Sequence, residues 1–132
     1  MADKLNFELV SPERRLASSE ADAVTIPGME GDLTAMVGHA PFVSSLRPGF
    51  VTVRDGGSEQ SYFVMGGFVE IARNTVSVLA DEAVEKDEAN RELIEQKLKA
   101  AEEALEEASE GRKQAALQKV NDYKALLGQV QG

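Results

Sequence analysis

His39 is the only histidine in 132 residues, and there is no cysteine. Those two counts set the limits of the available chemistry. A two-histidine metal face is impossible, and thiolate ligands and thiol nucleophiles are absent. A serine–histidine–acid relay would have to use His39. Yet Gly38-His39-Ala40-Pro41 reads as a turn, and no serine occupies a Gly-x-Ser-x-Gly elbow. Gly28-Met29-Glu30-Gly31-Asp32 has the glycines of a tight turn but lacks the Lys-Ser/Thr pair that holds phosphate and magnesium. The carboxylate pairs Glu30/Asp32 and Asp81/Glu82 lie in loops of an acidic chain, where acids are usually just solvated. No acid, base and pocket assemble from this inventory. The reading is a protein that is not an enzyme, with no metal and no cofactor.

The remaining candidates are surface charges. Fourteen Lys and Arg stand against 23 Asp and Glu, a net charge of −9. That sign argues against nucleic acid, which needs basic surface to release counterions. The charge is unevenly spread. Residues 87–110 hold nine acids and three bases, whereas residues 111–132 hold Arg112, Lys113, Lys119 and Lys124 against Asp122 alone. Those four bases are either a solvated face attracted to the acidic segment before it or a surface able to dock on an acidic partner. No run approaches 18 apolar residues, and Met1–Glu8 lacks the apolar stretch of a signal peptide, so a soluble, intracellular chain is expected.

Two kinds of sequence must position these residues. All four prolines, eight of eleven glycines and 17 of 20 Val, Ile and Thr precede Asp87. The expected division is therefore a domain over residues 1–86 and a second over 87–132. In the first, short runs alternate between turn signals: Leu5–Val10, Ala21–Ile26, Asp32–Met36, Val43–Leu46, Phe50–Arg54, Tyr62–Met65, Phe68–Ala72 and Thr75–Leu79. Asp55-Gly56-Gly57-Ser58 and Arg73-Asn74 read as hairpin turns. Such a pattern predicts an antiparallel β-sandwich or flattened barrel, wound as a meander because no crossover helix fits the gaps. In the second, Ile94, Leu98, Ala101, Leu105 and Ala108 step by four and three, as do Ala116, Val120, Tyr123, Leu127 and Val130. Ser109-Glu110-Gly111 separates the two seams and predicts an antiparallel two-helix hairpin, with Asp87 as the N-cap of its first helix.

The turns of the first domain carry a resemblance. Pro27-Gly28-Met29-Glu30-Gly31-Asp32-Leu33, Gly38-His39-Ala40-Pro41, Arg47-Pro48-Gly49, Gly66-Gly67-Phe68-Val69-Glu70-Ile71 and Val76-Ser77-Val78-Leu79-Ala80-Asp81-Glu82-Ala83 follow in order. The series resembles the epsilon subunits of bacterial F-type ATP synthases, the counterparts of mitochondrial delta, strongly over residues 5–84 and by architecture over 87–132. The resemblance implies a central-stalk rotor subunit that binds gamma and sits on the c ring, coupling proton-driven rotation to ATP synthesis. It implies a peripheral location on the cytoplasmic face of the bacterial inner membrane. It matches Asp32 to the acidic loop residue facing the c ring, and Ser11, His39 and Ser44 to gamma-facing positions. The hairpin, with Arg112, Lys113, Lys119 and Lys124, would reach toward the alpha/beta head and weakly restrain hydrolysis. Two departures stand out. Val37 replaces the usual proline before Gly38. Nucleotide-binding members carry Ile/Leu-Asp-x-x-Arg-Ala where this chain reads Lys86-Asp87-Glu88-Ala89-Asn90-Arg91. Asp87 and Arg91 are the nucleotide candidates, but Arg91 lies one residue late, about 100° round a helix, which argues against specific ATP binding. The alternative to a rotor subunit is a free-standing ligand-binding sandwich with a helical lid.

Overall fold

The structure is a computed structural model that describes residues 4–129. Ten strands come first: β1 (Leu5–Val10), β2 (Arg15–Ala21), β3 (Ala23–Gly28), β4 (Gly31–Met36), β5 (Phe42–Leu46), β6 (Gly49–Asp55), β7 (Ser58–Val64), β8 (Gly67–Ile71), β9 (Thr75–Ala80) and β10 (Ala83–Glu85). Two helices follow, α1 (Arg91–Glu107) and α2 (Lys113–Gln129). Contacts divide the chain into two compact units, Met1–Lys86 and Asp87–Gly132.

The strands pair along one path, β10-β7-β6-β3-β5-β8-β9-β1-β2, with β4 added to β3. β3 is the corner of the sheet. Its Ala23–Thr25 segment pairs with β6, whereas Gly28 at its other end pairs with Leu46 of β5. The path therefore bends into two layers, β4-β3-β6-β7-β10 and β5-β8-β9-β1-β2. Period-2 alternation puts Leu5, Phe7 and Leu9 of β1 on the inner face with Val24, Ile26, Val51, Val69, Ile71, Val76 and Val78, each 2% exposed or less. Full burial of side chains this size contributes about 1.5–3 kcal/mol each, so this filled interior holds the layers together. Phe7 of one layer stacks on Tyr62 of the other, with ring centroids 6.3 Å apart.

The sandwich departs from the expected meander. β1 pairs in parallel with β9, from Asn6 opposite Thr75 to Val10 opposite Leu79. A parallel pair needs a long crossover, and here almost the whole domain between the two strands supplies it. Two strands lack a sequence signal. β2 is a sheet edge whose Ser18, Ser19 and Glu20 are exposed, so it needs no alternating apolar residues. β10 is three residues long. The run expected over Ala21–Ile26 breaks at Asp22, with Ala21 closing β2 and Ala23 opening β3.

In the second unit the expected cap is corrected. Asp87 lies in an exposed 3-10 turn, Lys86–Glu88. Asn90 caps α1 instead: its backbone is extended at φ −95°, ψ 174°, and its Oδ1 accepts from the Leu93 amide at 2.9 Å. The α1 seam is as read, with Ile94 and Ala101 buried and Leu98, Leu105 and Ala108 half-buried. A 3-10 turn at Glu110–Arg112 separates the helices, and α2 packs back along α1. Val120 and Tyr123 are buried as expected, but Leu126 takes the place foreseen for Leu127, which is half-buried. Adjacent leucines lie about 100° apart, and steps of three and four fit a helix equally well. Val130 lies outside the described residues.

Candidate interaction surfaces

Asp32 sits at the start of β4, paired with Pro27 across the tight turn that follows β3. The turn tip, Met29-Glu30, is exposed. Arg47, just beyond β5, reaches both limbs of the turn. Its Nε donates to the Gly28 carbonyl at 3.0 Å, and its terminal nitrogen is ion-paired with an Asp32 carboxylate oxygen.

Ser11 begins a turn whose amides lock it in place: the Ser11 amide donates to the Arg14 carbonyl at 2.9 Å and the Arg14 amide to the Ser11 carbonyl at 3.2 Å. The register sets Ser11 at the Asp32 end of the domain, because Val10 faces Leu79, Phe68 faces both Leu79 and Ser45, and Leu46 faces Gly28. His39 lies at the opposite end. Its Nδ1–H donates to the Ala40 carbonyl at 2.6 Å, and the preceding Gly38 amide donates to the Arg73 carbonyl at 2.9 Å. The two residues are thus a strand length apart, roughly 15–20 Å. Ser44 stands in the row of Val69 and Val78, which faces the core, and its hydroxyl donates to the Ser45 carbonyl at 2.9 Å. The three residues matched to one partner do not cluster. Ser11 and His39 stand at opposite ends of the domain, and Ser44 lies between them on the core side of the sheet.

One exposed face was not foreseen. On the outer side of β5-β8-β9-β1 the register aligns Ser45, Phe68, Leu79 and Val10 in one row and Val43, Glu70, Ser77 and Glu8 in the next. Phe68 is 56% exposed, Leu79 55% and Val43 66%. The signal was present in the sequence, since Phe68 and Leu79 are out of phase with Val69, Ile71, Val76 and Val78. Alternation placed them outward. Only pairing could place them side by side.

A second charged cluster ties Lys4, just before β1, to the turns at Asp22 and at Asp55-Gly56. Lys4 pairs with Asp22 at 3.2 Å and with Asp55, and the Gly56 amide donates to Asp22 at 2.7 Å. The Gly56 amide and then Lys4 hold the Asp22 carboxyl below the usual carboxylate value. Asp55 and then Asp22 push the Lys4 ammonium up.

The four bases of the hairpin are all exposed. They do not form one face. At 100° per residue, Lys113 and Lys124 share a flank of α2, with Lys119 about 120° away. Lys113 lies 3.4 Å from Glu110. Asp87 and Arg91 are not brought together on a helix: Asp87 precedes the cap, and Arg91 is ion-paired with Glu95 at 2.7 Å. Among the described residues no three potential ligands converge for a metal ion, and no helix is long and apolar enough to cross a membrane.

Residues 4–86 match the model of the ATP synthase Delta/Epsilon chain beta-sandwich domain. The chain belongs to the ATP synthase delta/epsilon family. It is 44% identical over 128 residues to the ATP synthase epsilon chain of Jannaschia sp., covering 97% of both chains. It is 46% identical over 116 residues to the ATP synthase epsilon chain of Paramagnetospirillum magneticum, covering 87% of both. The fold is similar to a chain of the Euglena gracilis mitochondrial ATP synthase (OSCP/F1/c-ring), with a TM-score of 0.74, 22% identity, and coverage of 98% of this chain and 82% of that one. The match to the Jannaschia chain spans 97% of this chain, so it takes in most of residues 87–132 as well as the sandwich.

Proposed function

We propose that this delta/epsilon-family chain is a non-catalytic central-stalk subunit of an F-type ATP synthase. Its sandwich, residues 1–86, binds the gamma subunit and sits on the c ring, coupling proton-driven rotation to ATP synthesis. The chain is peripheral, on the cytoplasmic face of the bacterial inner membrane, and is held there through the complex. Residues 87–132 are a hairpin that can reach the alpha/beta head.

The observation that carries this reading is the exposed apolar row Phe68–Leu79 with Val43 beside it, bordered by Ser11 at one end and His39 at the other. A rigid sheet with an apolar centre and a polar rim suits a flat protein partner. Family membership supplies the partner's identity. A free-standing ligand-binding sandwich would need room between its layers, and there the side chains of β1, β3, β6, β8 and β9 pack together. The groove formed by Asn6, Glu8, Ser18, Glu20, Thr75 and Ser77 is open and lies on the outer face.

The test is co-purification of gamma with Phe68→Glu and Leu79→Lys variants of the full chain. Each should weaken gamma binding by about 2 kcal/mol, as for a central interface residue. Circular dichroism should not change, because both side chains already face water. Gamma binding at wild-type strength in both variants would refute this face as the docking surface.

A further inference from the structure

The turn between β3 and β4 is held from outside by one side chain. Backbone bonds first lay the 45–47 segment alongside it: the Met29 amide donates to the Ser45 carbonyl at 3.0 Å and the Arg47 amide to the Pro27 carbonyl at 3.1 Å. Arg47 then spans the turn with its guanidinium. One nitrogen takes the Gly28 carbonyl on the entering limb, and another takes the Asp32 carboxylate on the leaving limb. The Arg47 side chain is 28% exposed and its partner Asp32 68%. The ends of this bridge therefore differ: a largely covered cation, and an anion presented to solvent with one oxygen fixed.

Because Asp32 is mostly exposed, such a pair contributes little to folding, about 0–1 kcal/mol. Its consequence is directional. A planar guanidinium with several donors in fixed geometry can satisfy a carbonyl and a carboxylate together, and a single ammonium on a flexible stem cannot hold both in the same orientation. With one oxygen held by Arg47, the 68%-exposed Asp32 carboxylate keeps acceptor capacity for a partner while its charge is largely compensated. Such a group suits a partner's hydrogen-bond donors more than a bare positive charge.

We propose that Arg47 is a positioning residue for the c-ring contact, orienting the Asp32 carboxylate toward donor groups on the polar loops of the ring. This rests on the reading of Asp32 as the c-ring-facing residue. The experiment uses the full chain assembled with gamma and the catalytic head, rebound to membranes that retain the c ring, with Arg47→Met, Arg47→Lys, Asp32→Asn and the Arg47→Met/Asp32→Asn double variant. Arg47→Met should weaken rebinding about tenfold, within the coupling range of hydrogen-bonded neighbours, while gamma binding and the thermal midpoint stay at wild-type values. Arg47→Lys should fall between Arg47→Met and wild type. The double variant should be no weaker than the weaker single one, because Arg47 acts through Asp32. Rebinding of Arg47→Met at wild-type strength, or full additivity in the double variant, overturns the proposal. If Arg47→Met does not fold, Arg47→Lys decides: wild-type rebinding overturns the proposal, and a partial loss that vanishes in the Asp32→Asn background supports it. Wild-type rebinding by Asp32→Asn would instead remove the underlying reading of Asp32, and the proposal with it.

Discussion

Asp22 accepts from the Gly56 amide at 2.7 Å and pairs with Lys4 at 3.2 Å, so a single carboxylate joins the first strand to two turns. Its folded-state pKa is lowered from 3.8, by the Gly56 amide first and Lys4 second. A carboxyl lowered on folding contributes stability that is complete above its unfolded value and disappears as pH falls through the folded one. Lys4 behaves in the opposite sense. Raised from 10.5 by Asp55 and then Asp22, it contributes fully below that value and loses its contribution as pH rises through the folded one. Asp22→Asn should therefore flatten the acid limb of the stability profile. Urea midpoints between about pH 5 and 2 should fall less steeply in the variant than in the wild type. Equal slopes would mean that the cluster is only a surface coincidence. The same scale explains why a residue such as Arg47 could not be read from sequence for its role. Its partners Gly28 and Asp32 lie 19 and 15 residues away, and the register between β3 and β5 alone brings them within reach.

At the scale of the element, α1 begins where a side chain first satisfies an orphan amide. Asn90 does so, and Asp87, three residues earlier in a 3-10 turn, does not cap the helix. Asn90→Ala should destabilise the hairpin by about 1 kcal/mol, whereas Asp87→Ala should change helicity little. Far-UV circular dichroism during thermal melting separates the two, and a larger loss from Asp87→Ala would reverse the assignment. The shift of the cap also bears on nucleotide. Arg91 is the first helical residue and bonds to Glu95 at 2.7 Å, in a segment dense in acids. Calorimetric titration with ATP should accordingly give a dissociation constant no tighter than about 1 mM. Micromolar binding would overturn this. Most strands were legible because one buried face imposes period 2, and the α1 seam because one buried stripe imposes steps of three and four. β2 was not legible, since an edge strand with Ser18, Ser19 and Glu20 outward needs only backbone partners. The parallel β1–β9 pair was hidden because strand patterns carry no record of direction. Asp32, Ser11, His39 and Ser44 became candidates through family resemblance, and the structure then gave them positions. The outward Phe68 and Leu79 were visible one at a time, and their adjacency needed the sheet.

The molecule as a whole is acidic at −9, yet its last 22 residues carry a net positive charge, concentrated in Arg112, Lys113, Lys119 and Lys124. All four are exposed; Arg112 lies in the 3-10 turn before α2, and on α2 Lys113 and Lys124 share one flank while Lys119 lies on another, rather than forming one basic face. Such a helix can attract an acidic surface only through separate, solvent-screened contacts. Each exposed pair contributes about 0–1 kcal/mol, and at physiological salt the screening length is about 8 Å. If the hairpin reaches the catalytic head in the proposed complex, its restraint on ATP hydrolysis should be weak and salt-sensitive. Changing all four bases to glutamate should raise hydrolysis by the assembled complex at low salt, and the difference should shrink as salt rises. The geometry divides the effect further. Lys113→Glu/Lys124→Glu should reproduce most of it if one flank makes the contact, whereas Lys119→Glu should do so if the other does. Steady-state ATPase rates across a salt series decide between them. Equal rates for the quadruple variant and the wild type at low salt would leave the basic residues as solvated surface and the hairpin as a structural element of the stalk.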